Sequence, residues 1–126
     1  MIDFVETDSQ KLIAQTIQDF GKKEIIPNMM VWDEEQIFPI ELFRKMGNLG
    51  LMGVMVPEKF NGSGFGYLEY ITALVEISKI DGSIGLSLAA HNSLCTNHIL
   101  LFGTEEQKHQ YLPKLATGEW IGARRA

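Results

Sequence analysis

Apolar residues recur every three or four positions in the first part of the chain, a spacing typical of amphipathic helices. A first helix is predicted to start at the polar segment 7–9, whose side chains suit an N-cap. Pro27 is expected to interrupt it, because proline lacks a backbone N–H and disfavours helical geometry at the preceding residue. A second, short helix is then predicted to carry Met29, Met30 and Trp32.

The segment 39–66 combines a third helix with an irregular connection. Pro39 suits the first position of that helix, and Gly47 is predicted to end it in a left-handed conformation. The apolar segment 51–60 is predicted to be a buried, extended connection. Three glycines within 62–66 indicate a tight loop, whose sequence NGSGFG matches neither a phosphate-binding loop nor a dinucleotide fingerprint.

Helical periodicity returns at Tyr67 and continues to residues 81–82. Its apolar side chains lie on or near one predicted face, formed by Leu68, Ile71, Leu74, Val75 and Ile77. Ser83 is predicted to cap the next helix, whose sequence IGLSLAAHNSLCTNHILLF is apolar on nearly every side. Because a helix of this kind belongs in the middle of a fold, we expect the others to pack around it.

The last helix has a clear start signal. Thr104 and Gln107 have the spacing of a capping box, Pro113 is expected to bend the final turn, and Gly118 to close it. The sequence therefore predicts an all-α fold, an antiparallel bundle of about five or six helices around the uncharged helix near 83–101, with almost no strand.

Composition and charge exclude several classes of function. The 126 residues carry a net charge of −5, and basic residues adjoin only in the pairs Lys22-Lys23, Arg44-Lys45 and Arg124-Arg125, so nucleic-acid binding is not expected. The acidic N-terminus has no apolar signal region, which predicts a cytoplasmic protein and leaves an organellar matrix open. The uncharged stretch 82–104 contains too many polar residues for a membrane span.

The sequence offers few candidates for catalysis or metal binding. His91 and His98 are seven residues apart and have no third ligand nearby, so no metal site is predicted. Cys95 lies in an apolar stretch and is read as a small buried residue. Three carboxylates that could take part in chemistry are read as surface or packing residues: Glu58, Glu69 and Glu76.

One stripe on the uncharged helix has two interpretations. Ser87, Ala90, His91 and Leu94 lie at i, i+3, i+4 and i+7, which puts them on one side of an α-helix. In a closed bundle these residues allow close helix packing, which periodicity alone favours. In an open bundle they line a groove for a slender apolar ligand.

Two long segments resemble the N-terminal helical domain of the acyl-CoA dehydrogenases: PEKFNGSGFGYLEYITALVEISKIDGSIGLSLAAHNSL and FGTEEQKHQYLPKLATGEWIGA. The resemblance covers nearly the whole chain, and differs at 61–64, where the family more often has paired glycines. It implies an FAD enzyme that oxidises acyl-CoA thioesters, passes electrons to an electron-transfer flavoprotein and forms homo-oligomers. It also implies that the stripe Ser87, Ala90, His91 and Leu94 walls the acyl groove.

The same resemblance sets an expectation for domain organisation. Residues 1–118 are expected to form the helical N-terminal domain, and 119–126 to begin the connection to a β-domain. The family's flavin-contacting Thr-Glu-Pro motif, its two further domains and its catalytic glutamate do not occur in these 126 residues. We therefore expect no catalytic residue, no bound FAD and no turnover from this chain alone. The alternatives are a non-catalytic self-association or interaction module, and a degenerate remnant without activity.

Overall fold

Residues 6–123 are described by a computed structural model. Seven α-helices follow in the order α1 (Asp8–Phe20), α2 (Met29–Glu34), α3 (Ile40–Asn48), α4 (Tyr67–Ile80), α5 (Gly82–Ala89), α6 (Asn97–Phe102) and α7 (Glu105–Ala116). A π-helical segment, Ala90–Thr96, joins α5 to α6 without a break, so six helical rods result. No strand occurs in this part of the chain, and the predicted all-α fold is confirmed.

The first helix begins and ends as its sequence predicts. Thr7 and Gln10 form a reciprocal capping box, in which each side chain accepts from the other residue's backbone N–H. After α1 the backbone widens into a π-helical segment, Gly21–Ile25, and helical structure stops before Pro27. The short helix α2 follows as predicted, and Pro39 is the N-cap of α3 rather than its first residue.

Gly47 does not end α3, so the predicted left-handed stop is wrong at this position. The helix continues to Asn48, and the left-handed residue is Gly50, with φ of 81°. Gly47 instead lies where α3 meets the end of α7, and a Cβ there would lie 2.0 Å from the carbonyl oxygen of Thr117. Glycine is required at this position because two helices approach closely, and not because the backbone turns there.

The connection after α3 is buried, as predicted, but it is folded into turns and a short 3₁₀ helix, Glu58–Phe60, rather than extended. Backbone hydrogen bonds join it to the glycine loop. The N–H of Gly64 donates to the carbonyl oxygen of Val56, and the N–H of Phe65 donates to that of Val54. These bonds satisfy the polar backbone of a segment that water does not reach.

Helix α4 packs between α1 and α5 and buries only part of the predicted face, since Ile77 is buried and Leu74 half-buried. Its buried side chains are Tyr70, Ala73 and Ile77. Leu68, Ile71 and Val75 remain exposed and form an apolar ridge, which we call the α4 ridge. The helix has apolar residues on more than one side, so spacing alone did not identify the side that faces the core.

Asp81 caps α5, in place of the predicted Ser83. One carboxylate oxygen of Asp81 accepts from the backbone N–H groups of Ser83 and Ile84. The carboxylate thus satisfies two free N–H groups and places negative charge at the positive end of the helix.

The core fills the space enclosed by α1, α3, α4 and α5. Its largest cluster consists of buried residues from these helices and from the connection: Ile17, Ile25, Leu42, Phe43, Met46, Leu51, Met52, Ala73, Ile77, Ile84 and Leu88. A smaller cluster lies against α7, which has the predicted capping box of Thr104 and Gln107 and runs through Pro113 to Ala116. Gly118 then reverses the chain with φ of 78°.

Candidate functional site

The continuous helix from α5 to α6 has a core side and an outer side. Leu88 and His91 are fully buried on the core side, with Asn92 and Thr96 beside them. On the other side Leu86 is 74% exposed, Leu94 49% and Phe102 74%. The expectation that this helix is buried all round is therefore wrong for the described chain, because an uncharged surface on one side faces solvent.

The four residues of the predicted stripe do not share one environment. Ser87 and Ala90 are half-buried, Leu94 is exposed, and His91 has no exposed surface. The π-helical segment explains the separation, because each residue in a wider turn advances by a smaller angle than in an α-helix. His91 is consequently turned towards the core, while Leu94 stays on the outer side.

Leu86 belongs with the outer residues, although it is not one of the four residues of the predicted stripe. Leu86, Ala90 and Leu94 are spaced four residues apart, and the wider turn keeps that spacing on one side of the helix. We call these three residues the outer stripe. The signal that could have found Leu86 is its position one turn before Ala90, and the π-helical geometry is needed only to separate Leu94 from His91.

His91 is held by three backbone groups from three segments. Its Nε2 lies 2.9 Å from the carbonyl oxygens of Met52 and Leu115, and its Nδ1 lies 2.9 Å from the backbone N of Gly122. Carbonyl oxygens only accept, so Nε2 carries the proton, and Nδ1 accepts from the N–H of Gly122. Burial lowers the pKa of His91, against the opposing effect of the two carbonyls, and favours this neutral ring.

Asn92 anchors the helix beside His91. Its Nδ2 donates to the carbonyl oxygens of Leu51 and Leu88, which ties the helix to the connection after α3. Both Asn92 and His91 therefore bind the same buried connection from adjacent positions. These bonds fix the rotation of the helix, and with it the direction in which the outer stripe faces.

Ser87 lies in a cleft at the N-terminal end of this helix. The cleft has a volume of about 630 Å³, within the range typical of small-molecule sites. The segment 29–39 forms one wall, with Trp32 and Phe38, and residues 80–84 form the other. The cleft is partly apolar and open, and it lies next to the outer stripe through Ser87.

The remaining candidate residues have structural surroundings. Cys95 is half-buried, and burial raises the pKa of its thiol, which disfavours a reactive thiolate. Glu69 caps α4 by accepting from the N–H of Gly66, and Glu76 pairs with Lys79. Residues 6–123 hold no group of three or more His, Cys, Asp or Glu side chains placed to bind a metal ion.

None of the helices in the described range is long and apolar enough to span a membrane. Residues 1–5, which begin the acidic N-terminus, and the Arg124-Arg125 pair lie outside the described residues.

Comparison with known proteins identifies one family. The model of the acyl-CoA dehydrogenase N-terminal domain matches residues 7–119. The acyl-CoA dehydrogenase of Bacillus subtilis is 44% identical over 117 residues, which is 93% of this chain and 31% of that protein. The chain therefore spans about a third of the length of such relatives.

Solved structures share the fold. A chain in the structure reported as "Electron transferring flavoprotein of Acidaminococcus fermentans: Towards a mechanism of flavin-based electron bifurcation" has a TM-score of 0.91 and 38% identity. The match covers 95% of this chain and 32% of that one. The acyl-CoA dehydrogenase of Bacillus anthracis, solved with FAD, has a TM-score of 0.88 and 32% identity, covering 96% of this chain and 21% of that chain.

Proposed function

Because the chain belongs to the acyl-CoA dehydrogenase family through the N-terminal domain of that family, we propose that it supplies one wall of the acyl-binding groove in an enzyme that oxidises acyl-CoA thioesters. The observation that carries the proposal is the outer stripe. Leu86, Ala90 and Leu94 present an apolar row to solvent from a helix whose opposite side builds the core. Contiguous exposed apolar surface marks a site that another molecule or segment covers.

The outer stripe suits an acyl tail in both shape and polarity. Ala90 is small between two leucines, so it leaves a shallow depression along the helix. Covering the row with hydrocarbon removes apolar surface from water, at about 25 cal/mol per Å². Ser87 borders the same row at the cleft, and His91, the fourth residue of the predicted stripe, supports the wall from behind.

FAD is proposed to bind in the full-length enzyme and not to residues 6–123 alone. In the full-length enzyme, FAD would supply the acceptor for the hydride of the β-carbon while a base removes the α-proton. Apart from α3, whose N-terminus has no side-chain cap, the helices of eight or more residues are already capped by this chain's own groups, from Thr7, Glu69, Asp81 and Thr104. A cofactor diphosphate would have to displace these caps, and at α5 it would meet the carboxylate of Asp81.

The solvent-exposed outer stripe supports the predicted domain organisation and the predicted inactivity of this chain alone. Residues 1–118 are proposed to form the helical domain and 119–126 to lead out of it. In this chain the outer stripe has a helix on one side and solvent on the other, so a bound acyl group would not be enclosed. Catalysis of this kind relies on preorganised polar groups in a site that excludes water. We therefore propose that the 126 residues alone do not turn over acyl-CoA.

The partners proposed for the full-length enzyme are acyl-CoA and an electron-transfer flavoprotein, and nucleic acid is not among them. Homo-oligomer formation and a cytoplasmic location remain predictions from the sequence. A chain in the structure named for the electron transferring flavoprotein of Acidaminococcus fermentans shares this fold. This shared fold supports an electron-transfer flavoprotein as a partner of the full-length enzyme.

A chimera tests the groove assignment. Residues 7–119 would replace the matching N-terminal third of the Bacillus subtilis relative, and flavin absorbance and dye-coupled oxidation of acyl-CoA would be measured. We expect a yellow, active chimera in which Ala90→Trp raises KM for acyl-CoA by about tenfold or more, because the indole fills the groove. Gln110→Trp, on an exposed position of α7, should leave KM unchanged. If the chimera is yellow and Ala90→Trp leaves its KM for acyl-CoA unchanged, the groove assignment is refuted.

The alternative function, a non-catalytic interaction module, is favoured by the α4 ridge. Leu68, Ile71 and Val75 form a second exposed apolar surface, on a helix that contributes nothing to the outer stripe. If this ridge pairs with a second copy of the chain, sedimentation equilibrium should show a dimer. Ile71→Lys should convert it to a monomer, whereas Lys79→Glu, on an exposed position of the same helix, should not. A monomer at all concentrations rules out self-association of this chain.

A further inference from the structure

The chain leaves the helical domain along a defined path. After Gly118 the exit segment, residues 119–123, runs back over the π-helical segment. Gly122 lies so close to it that a Cβ at this position would be 2.5 Å from the Sγ of Cys95 and 3.3 Å from the side chain of Leu115. The backbone N–H of Trp120 also donates to Lys114 at 3.1 Å. The exit segment is therefore seated on α7 and on the π-helical segment.

His91 supplies a hydrogen bond from the buried side of that contact. The N–H of Gly122 donates to Nδ1, while Nε2 donates to the carbonyls of Met52 and Leu115. One neutral ring thus joins the connection after α3, the end of α7 and the exit segment. We propose that His91 is a proton-sensitive clamp that holds the exit segment in place when neutral and releases it when protonated.

The chemistry of release follows from the three bonds. Protonation adds a hydrogen to Nδ1, which then faces the N–H of Gly122 as one donor facing another. The two carbonyls on Nε2 keep their bond, so the ring itself stays anchored to Met52 and Leu115. The bond that is lost is the one to the exit segment. Burial of His91, which lowers its pKa, places release on the acidic side of the ordinary histidine range.

The titratable groups on the surrounding elements do not compete for this ring. On α7, Lys114 lies over the ring of Trp120 and His109 packs against Phe60. On the exit segment, the side chain of Glu119 is exposed. On the helix that carries His91, Cys95 lies beside Gly122, and burial raises the pKa of its thiol and keeps it neutral. The buried connection at 51–56 contains no ionisable side chain.

This clamp is independent of the proposed function, because every group in it belongs to the described chain. Where further polypeptide follows the exit segment, as in the relatives, the clamp would set the direction in which that polypeptide leaves the helical domain. His91 is thus a positioning residue whose effect depends on pH.

Nuclear magnetic resonance on the 126-residue chain tests the clamp without any substitution. The nitrogen shifts of His91 should show a neutral ring with its proton on Nε2 at pH 8. The amide resonance of Gly122 should titrate with the same midpoint as that ring, and its exchange protection, corrected for intrinsic rates, should fall at least about tenfold on the acidic side. A proton on Nδ1 at pH 8, or a Gly122 amide that does not follow the ring, overturns the proposal.

Two variants sharpen the test. His91→Gln keeps a polar side chain that cannot titrate, so protection of Gly122 should become independent of pH. His98→Gln changes an exposed histidine on the same helix and should leave the wild-type titration of Gly122 intact. If pH dependence survives in His91→Gln, or disappears in His98→Gln, His91 is not the clamp.

Discussion

Gly47 and Thr117 bring the backbones of α3 and of the segment after α7 into direct contact. An ideal Cβ on Gly47 would lie 2.0 Å from the carbonyl oxygen of Thr117 and 3.0 Å from the Cα of Gly118. Backbone atoms cannot move aside as the tip of a flexible side chain can. The spacing of these two helices is therefore set by the absence of a single methyl group.

We expect Gly47→Ala to destabilise the fold. Alanine gains about 1 kcal/mol over glycine inside a helix, but overpacking typically costs about 1–3 kcal/mol, and here the obstacle is backbone. A net loss of up to about 2 kcal/mol should appear as a lower midpoint of urea denaturation.

Gly82→Ala is the matched control. Gly82 begins α5, and an added Cβ there meets nothing within 4 Å. Its free energy of unfolding should be unchanged or slightly higher. If Gly47→Ala proves as benign as Gly82→Ala, α3 and α7 do not approach each other as closely as described.

Gly47 also shows where sequence reasoning stops. A glycine near the end of an apolar periodic segment favours a helix stop, and this local signal cannot report a contact with residue 117. The capping box of Thr104 and Gln107 was predicted correctly, because both partners lie within one turn. The helical fold and most helix bounds depend on such local signals, and they are confirmed.

The geometry of the candidate site depends on the π-helical segment Ala90–Thr96, which the spacing of apolar residues does not indicate. An α-helical spacing groups His91 with Leu94, whereas the π-helical segment separates them, and Leu86 lies in the row with Ala90 through the ordinary i, i+4 spacing of α5. The choice of buried face on α4 likewise follows from its packing between α1 and α5, and periodicity alone does not determine it.

Removal of the Asp81 cap should destabilise α5. Asp81→Ala leaves the N–H groups of Ser83 and Ile84 without their carboxylate partner, at a cost of about 1 kcal/mol in the free energy of unfolding. Asp81→Asn should retain most of the stability, since asparagine also accepts at an N-cap. Ser83→Ala, which removes a side chain that caps nothing here, should be near neutral in urea denaturation. An equal loss for Ser83→Ala would contradict the assignment of the cap.

Truncation of two leucines on the same helix should change the free energy of unfolding by very different amounts. Leu88 is fully buried, so Leu88→Ala should cost about 2–5 kcal/mol through lost contacts and a cavity. Leu86→Ala should change stability by less than about 0.5 kcal/mol, because the side chain already faces water. Leu86→Ser should also reduce binding of an apolar dye such as ANS to the outer stripe. Similar losses from both alanine variants would show that the helix is rotated relative to this description.

The buried neutral His91 gives stability a predictable dependence on pH. Burial lowers its pKa in the folded state below the ordinary 6.5 of the unfolded chain. Below about pH 6.5 the unfolded state therefore binds a proton that the folded state does not, and the free energy of unfolding falls as pH falls through the folded pKa. Urea denaturation at a series of pH values between 8 and 5 should show this decline in the wild type and a shallower one in His91→Gln. A wild type that gains stability between pH 7 and pH 5.5, or a variant with an equal slope, would mean that burial does not lower the pKa of His91 in the folded chain.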